Sequence, residues 1–96
     1  MYYSNNTILF HDGKFVKAKD ASTDLYSQTL HYGYGAFEGI RAYQTINGVK
    51  IFKAHEHFER LQRRCELVGR LFTYSTQELT QLSYQVLEKN NLIDAY

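Results

Sequence analysis

Apolar and polar residues divide the chain into a strand-like first half and a helical second half. Thr7 to Phe10 and Phe15 to Lys17 are short runs rich in β-branched and aromatic residues, separated by His11-Asp12-Gly13-Lys14. An Asp-Gly pair between such runs predicts a tight hairpin, because both residues tolerate positive φ. Ala18 to Gln28 is polar and irregular, and predicts a loop with some helical turn. From Gly35 to Gln44 the chain alternates loosely, Phe37, Gly39, Arg41 and Tyr43 against Ala36, Glu38, Ile40 and Ala42, which is the period of a strand. Asn47-Gly48 then predicts a second hairpin, with Val49-Lys50-Ile51-Phe52 as its return strand.

Beyond residue 52 the period changes. Phe58, Leu61, Cys65 and Val68 recur at helical spacing, which predicts an amphipathic helix from His55 to about Val68, ended by Gly69. Ser75-Thr76-Gln77-Glu78 has the form of a capping box and opens a second helix. Its buried stripe takes in Leu79, Leu82, Val86 and Leu87. Strands followed by helices predict an α+β fold: an antiparallel sheet with two helices packed on one face.

Composition narrows the class of function. Ninety-six residues suit one small domain with a modest core, and a net charge of +1 gives no electrostatic case for nucleic acid or a membrane surface. No apolar run is long enough to span a bilayer and no secretory leader is visible at residues 1–6. A single cysteine excludes an internal disulfide and fits a reducing compartment, so a cytoplasmic protein is expected. The chain has no proline, and at Asn90-Asn91-Leu92-Ile93-Asp94-Ala95-Tyr96 an apolar segment begins and stops. Residues 1–96 are therefore expected to be one domain of a longer polypeptide.

The densest chemistry lies in His31-Tyr32-Gly33-Tyr34-Gly35-Ala36-Phe37-Glu38-Gly39-Ile40-Arg41-Ala42-Tyr43, with three glycines and four aromatics. Glycines weaken a strand unless the backbone bends or something approaches it closely. Aromatic rings beside bare backbone read as the wall of a ligand cavity. A phosphate loop at Gly33-Tyr34-Gly35 is disfavoured, because such loops follow a strand and open a helix. His55-x-His57 has the look of a metal pair, but no third ligand is near in sequence, and two exposed histidines are the simpler account. Cys65 falls on the apolar stripe and reads as packing rather than as a nucleophile. Arg63 and Arg64 read as a solvated helix face. Arg60 adjoins Leu61 at the edge of the stripe, where it could equally be solvated or hold a phosphate or carboxylate.

These residues carry a resemblance. His31-Tyr32-Gly33-x-x-x-Phe37-Glu38-Gly39-Ile40-Arg41-Ala42-Tyr43, followed by Phe52, His57-x-x-Arg60-Leu61 and Ser75-x-x-Glu78, is similar to the N-terminal region of branched-chain amino acid aminotransferases. These are fold-type IV enzymes that use pyridoxal 5'-phosphate. The resemblance runs from the Asp12-Gly13 turn to Tyr96. It implies that the chain is a truncated N-terminal small domain, with the large cofactor-binding domain absent from these residues.

The resemblance assigns roles. Arg60 matches the arginine that grips the cofactor phosphate. Tyr32 and Phe37 match aromatics around the aliphatic side chain of the substrate, and the tyrosine can serve a neighbouring subunit. Gly39 and Arg41 match the strand that passes the substrate, and Tyr96 falls in a strand leading to a substrate-carboxylate arginine. The implied reaction transfers an amino group between Leu, Ile or Val and 2-oxoglutarate, in a homo-oligomer, dimeric or higher. No catalytic residue is expected in this chain, because Lys14, Lys17, Lys19, Lys50, Lys53 and Lys89 do not match the family's cofactor-linked lysine. These residues alone are thus expected to be inactive. Two other readings stand beside this one. The first is another fold-type IV activity, D-amino acid transamination or aminodeoxychorismate lyase. The second is a free-standing binding or assembly module.

Overall fold

The architecture follows the order of the sequence signals, two hairpins and then two long helices, with a short helix between the hairpins. In this computed structural model residues 3–33, 35–69 and 73–96 are described. Tyr34 of the glycine-rich stretch and Arg70 lie outside them. Strands β1 (Ile8–His11) and β2 (Lys14–Lys17) pair antiparallel, with Phe10 opposite Phe15. Asp12 and Gly13 occupy the turn at φ of 52° and 81°, the left-handed pair that a two-residue hairpin of matching twist requires. A 3-10 turn at Ala18–Asp20 follows, and then a short helix, α1 (Gln28–Tyr32).

Strands β3 (Ala42–Thr45) and β4 (Gly48–Ile51) form the second hairpin, with Ala42 opposite Ile51 and Thr45 opposite Gly48. The sheet is therefore two two-stranded units rather than one continuous surface. The alternating segment expected to be a strand from Gly35 becomes one only at Ala42. The reason lies in the partner. After Ile51 the chain turns at Phe52 and Lys53, the latter at φ 51°, and enters the next helix. Little of β4 remains to pair with residues before Ala42; the Phe52 N–H donates to Arg41 O at 2.7 Å. The strand-like alternation nevertheless survives in burial. Phe37, Gly39 and Arg41 are exposed, Ala36, Glu38 and Ile40 are partly covered, and Ala42 is buried.

Helix α2 (Ala54–Leu67) and helix α3 (Thr76–Lys89) pack on each other, and α3 also packs on β1. The capping box forms as the sequence predicts: Glu78 N–H donates to Ser75 Oγ and Ser75 N–H to Glu78 Oε1, both at 3.0 Å. At the far end Asn91 adopts φ 54°. The Leu92 N–H reaches back to Leu87 O at 2.9 Å and the Asn91 N–H to Glu88 O at 3.1 Å, a Schellman closure that satisfies the last carbonyls. Asn90 then ties the helix to β1. Its Oδ1 accepts from Ile8 N at 2.7 Å and its Nδ2 donates to Ile8 O at 2.8 Å. One side chain thus satisfies both backbone groups of a strand residue.

The core is small. Among the described residues Ala42, Phe58 and Leu87 are the buried apolar side chains. No helix among them is long and apolar enough to cross a membrane. The last residues return along β3 on the edge away from β4. Ala42 and Ala95 exchange backbone hydrogen bonds of 2.9 and 3.1 Å, and Asp94 Oδ1 accepts from Gln44 N at 3.1 Å. That return brings Tyr96 beside the 35–41 segment.

Candidate functional site: a carboxylate-clamped arginine and an aromatic face

The alternation of residues 35–42 sorts the candidate site residues onto two faces of one extended segment. On the covered face, Glu38 points at α2. Its side chain is only 2 % exposed and takes four donors. His57 Nδ1 lies 2.7 Å from Oε1. Arg60 approaches edge-on, Nε at 3.1 and 3.2 Å from the two oxygens, with Nη2 on Oε1 as well. Arg64 Nη1 donates to Oε2 at 3.0 Å and also to the Phe37 carbonyl at 3.1 Å. His57, Arg60 and Arg64 are three and seven residues apart, so a single stripe of α2 presents them all.

This corrects two expectations. Arg64 is half-exposed, yet it is an anchor for the segment rather than part of a freely solvated face. His55 and His57 are not equivalent. His55 is exposed and faces Glu59 one turn on, whereas the His57 side chain is 19 % exposed and sits on Glu38. The electrostatics follow from the contacts. The Arg60 guanidinium first, and the His57 hydrogen bond next, hold the Glu38 carboxyl down from 4.5 to about 2. Glu38 in turn raises Arg60 further above its ordinary value. Both are ionised across the ordinary pH range.

The charges do not cancel. One carboxylate faces two guanidiniums, so the cluster keeps an excess positive charge. Arg60 also lines an open depression with Lys53, Glu56, His57, Glu59 and Arg63. The guanidinium is therefore gripped on one edge and available on the other, a geometry suited to an anion.

The exposed face carries Gly39 and Arg41, and Tyr96 lies across both. A Cβ on Gly39 would stand 2.5 Å from the Tyr96 hydroxyl and 3.1 Å from ring atom Cζ, so the position requires glycine while the tyrosine stays where it is. The Arg41 guanidinium lies 4.8 Å from the centre of the same ring, at cation–π distance. Arg41 and Tyr96 stand at the rim of an apolar cavity of about 340 Å³ that reaches inward to Ile8, Val86 and Leu92.

Of the residues singled out in the sequence, Gly39, Arg41 and Tyr96 thus come together, and Arg60 is joined to them through Glu38, the neighbour of Gly39. Tyr32 and Phe37 are 80 % and 84 % exposed and line none of these hollows. Tyr32 closes α1 beside His31, which stacks on Tyr26 at 5.8 Å. Cys65 is partly buried on α2. Sequence reasoning passed over Glu38 as a functional group. The available signal was the run of three basic-capable residues at one helical stripe, which calls for a carboxylate without saying which one.

Comparison with known proteins places this geometry in context. No protein-family profile matches the chain. It is 37 % identical over 89 residues to a branched-chain-amino-acid aminotransferase of Pseudomonas aeruginosa, an alignment covering 93 % of this chain and 29 % of that protein. It is 35 % identical over 88 residues to a D-alanine aminotransferase of Staphylococcus epidermidis, covering 92 % and 30 % respectively. Among solved structures, an Escherichia coli branched-chain amino acid aminotransferase superposes with a TM-score of 0.89 at 34 % identity, over 97 % of this chain and 30 % of that one. A second branched-chain amino acid aminotransferase, complexed with N-(5'-phosphopyridoxyl)-L-glutamate, gives 0.87 at 31 % identity, over 93 % and 30 %. The chain spans less than a third of the length of these relatives.

Proposed function

We propose that this chain is the N-terminal small domain of a pyridoxal-phosphate-dependent branched-chain amino acid aminotransferase. The observation that carries the reading is the similarity to such enzymes, above 30 % identity and across more than nine-tenths of the chain. The remainder of the enzyme, including the lysine and the larger cofactor-binding domain, belongs to the full-length protein. That protein is a cytoplasmic homo-oligomer that moves an amino group between Leu, Ile or Val and 2-oxoglutarate.

The residues present fit the cofactor's charged end. Arg60 offers a guanidinium held on one edge in a cluster with surplus positive charge, which is the requirement for a phosphate dianion. When bound, pyridoxal 5'-phosphate supplies the electron sink that amino-group transfer needs. Everything else asked of this chain is binding and shape. Arg60 anchors the phosphate. Gly39 leaves room for Tyr96, Arg41 orders the polar side of the substrate, and Tyr32 and Phe37 supply apolar wall for an aliphatic side chain, Tyr32 toward a neighbouring subunit. Such walls separate substrates differing by one methylene only weakly, by ~1–3 kcal/mol.

A second reading has its own support, because the D-alanine aminotransferase matches over the same share of the chain. One assay separates them. The purified full-length protein, loaded with pyridoxal 5'-phosphate, is expected to convert 2-oxoglutarate to glutamate with L-leucine, L-isoleucine and L-valine. Little or no turnover is expected with D-alanine. Preference for D-alanine would move the assignment to the second activity, and inactivity with every amino donor would overturn both.

A further inference from the structure

We propose that Glu38 is the positioning residue for the phosphate-gripping arginine: its carboxylate fixes Arg60 through Nε and Nη2 and leaves the outer edge of the guanidinium for the phosphate. This rests on the role of Arg60 proposed above. An arginine on a helix surface samples many rotamers, and a ligand that must first immobilise it binds more weakly for that reason. Here the Arg60 side chain is half-exposed, yet its Nε and Nη2 are both engaged by one carboxylate. Glu38 cannot follow the guanidinium outward, because its side chain is nearly enclosed and His57 and Arg64 hold its two oxygens.

The opposite interpretation makes Glu38 a counter-ion occupying the phosphate's place. The geometry argues against it. Glu38 sits on the covered face of the 35–42 segment against α2, while Arg60 lines the open depression with Lys53 and Arg63 as well as the carboxylates Glu56 and Glu59. Around the depression Lys53 and Arg63 offset Glu56 and Glu59, and in the cluster two guanidiniums face one carboxylate, so an incoming dianion still meets a net positive charge.

The test is a double-mutant cycle in the full-length protein, reading affinity for pyridoxal 5'-phosphate and, as a control, for pyridoxal, which lacks the phosphate. R60A is expected to weaken the first strongly and the second little. E38Q should weaken pyridoxal 5'-phosphate about tenfold, the size typical of residues that orient a ligand from behind, and leave pyridoxal unchanged. In the R60A background E38Q should have no further effect, within about twofold. Equal losses from E38Q in both backgrounds, or tighter binding by E38Q alone, would overturn the positioning role while leaving Arg60 in place. An R60A protein that binds the cofactor normally would overturn the Arg60 assignment and this proposal with it. Should E38Q not yield folded protein, E38D runs the same cycle with the charge kept and drawn back by one methylene.

Discussion

Glu38 is the residue on which the site turns, and its titration gives it a measurable signature. The carboxyl titrates near 2 in the folded chain against 4.5 when unconstrained, with Arg60 and His57 as the leading causes. A depressed carboxyl pKa stabilises the fold above the unfolded value, and that stability is lost as pH falls toward the folded value. The window therefore runs from about pH 4.5 down to about 2. Melting temperature of the full-length protein should fall through this window, and E38Q should show a lower plateau at neutral pH and a shallower decline. Parallel acid profiles for the two proteins would remove Glu38 from the stability account. Gly39, one residue on, is fixed by a different force. Its constraint is steric, since the Tyr96 hydroxyl already fills the space of a side chain.

At the scale of elements, the local signals differ in how much they hold. Ser75 and Glu78 satisfy two backbone donors at the start of α3, and such a cap contributes about 1 kcal/mol. The Asn90 side chain makes three hydrogen bonds, two to Ile8 and one to Val86 O at 2.8 Å. Removing it leaves partly buried backbone groups of β1 without their side-chain partner. Asn90→Ala is therefore expected to destabilise by about 2–3 kcal/mol, and Ser75→Ala by about 1 kcal/mol. Urea titrations of the two variants check the order. A smaller loss for Asn90→Ala would mean that solvent replaces its bonds to β1. The segment 35–41 makes the complementary point. It has the alternation of a strand and is held mostly by side chains, Glu38 on one face and Tyr96 against the other.

The whole molecule is looser than its length requires. Its radius of gyration is 14.4 Å, where roughly 12.5 Å describes a compact domain of this size. Leu25, Tyr26, Leu30, Tyr32 and Phe37 are all largely exposed, an apolar display that ordinary monomers avoid. The reading of the chain as one domain of a larger enzyme explains both. It also sets an expectation for the 96-residue polypeptide made alone. The six lysines are exposed on strands, turns and helix ends, Lys53 and Lys89 over the rings of Phe52 and Phe15. None is enclosed with an acid as a cofactor-linked lysine would be. This polypeptide should show no transamination, and it should sediment as an assembly rather than as an 11.3 kDa monomer. Amino-group transfer by these residues alone would sink the assignment of the lysine to another part of the protein.

What the amino-acid sequence determines by itself is short in range. The Asp12-Gly13 turn, the Ser75–Glu78 box, the Gly69 stop and the helix stripes are decided by torsions and hydrogen bonds within a few residues, and each has a composition that shows it. The resemblance, rather than any local rule, singled out the motif around Phe37–Arg41 and Arg60. Tertiary structure alone decided which carboxylate meets His57, Arg60 and Arg64, because that pairing spans 19 to 26 positions. It also decided that Tyr96 covers Gly39 and that Asn90 reaches Ile8 across 82 positions. Charges and amides carry no periodicity that names a distant partner. They are matched only when the fold sets the 35–41 segment against α2 and β1 against α3, which nearly encloses the Glu38 carboxylate and part-buries the Asn90 amide.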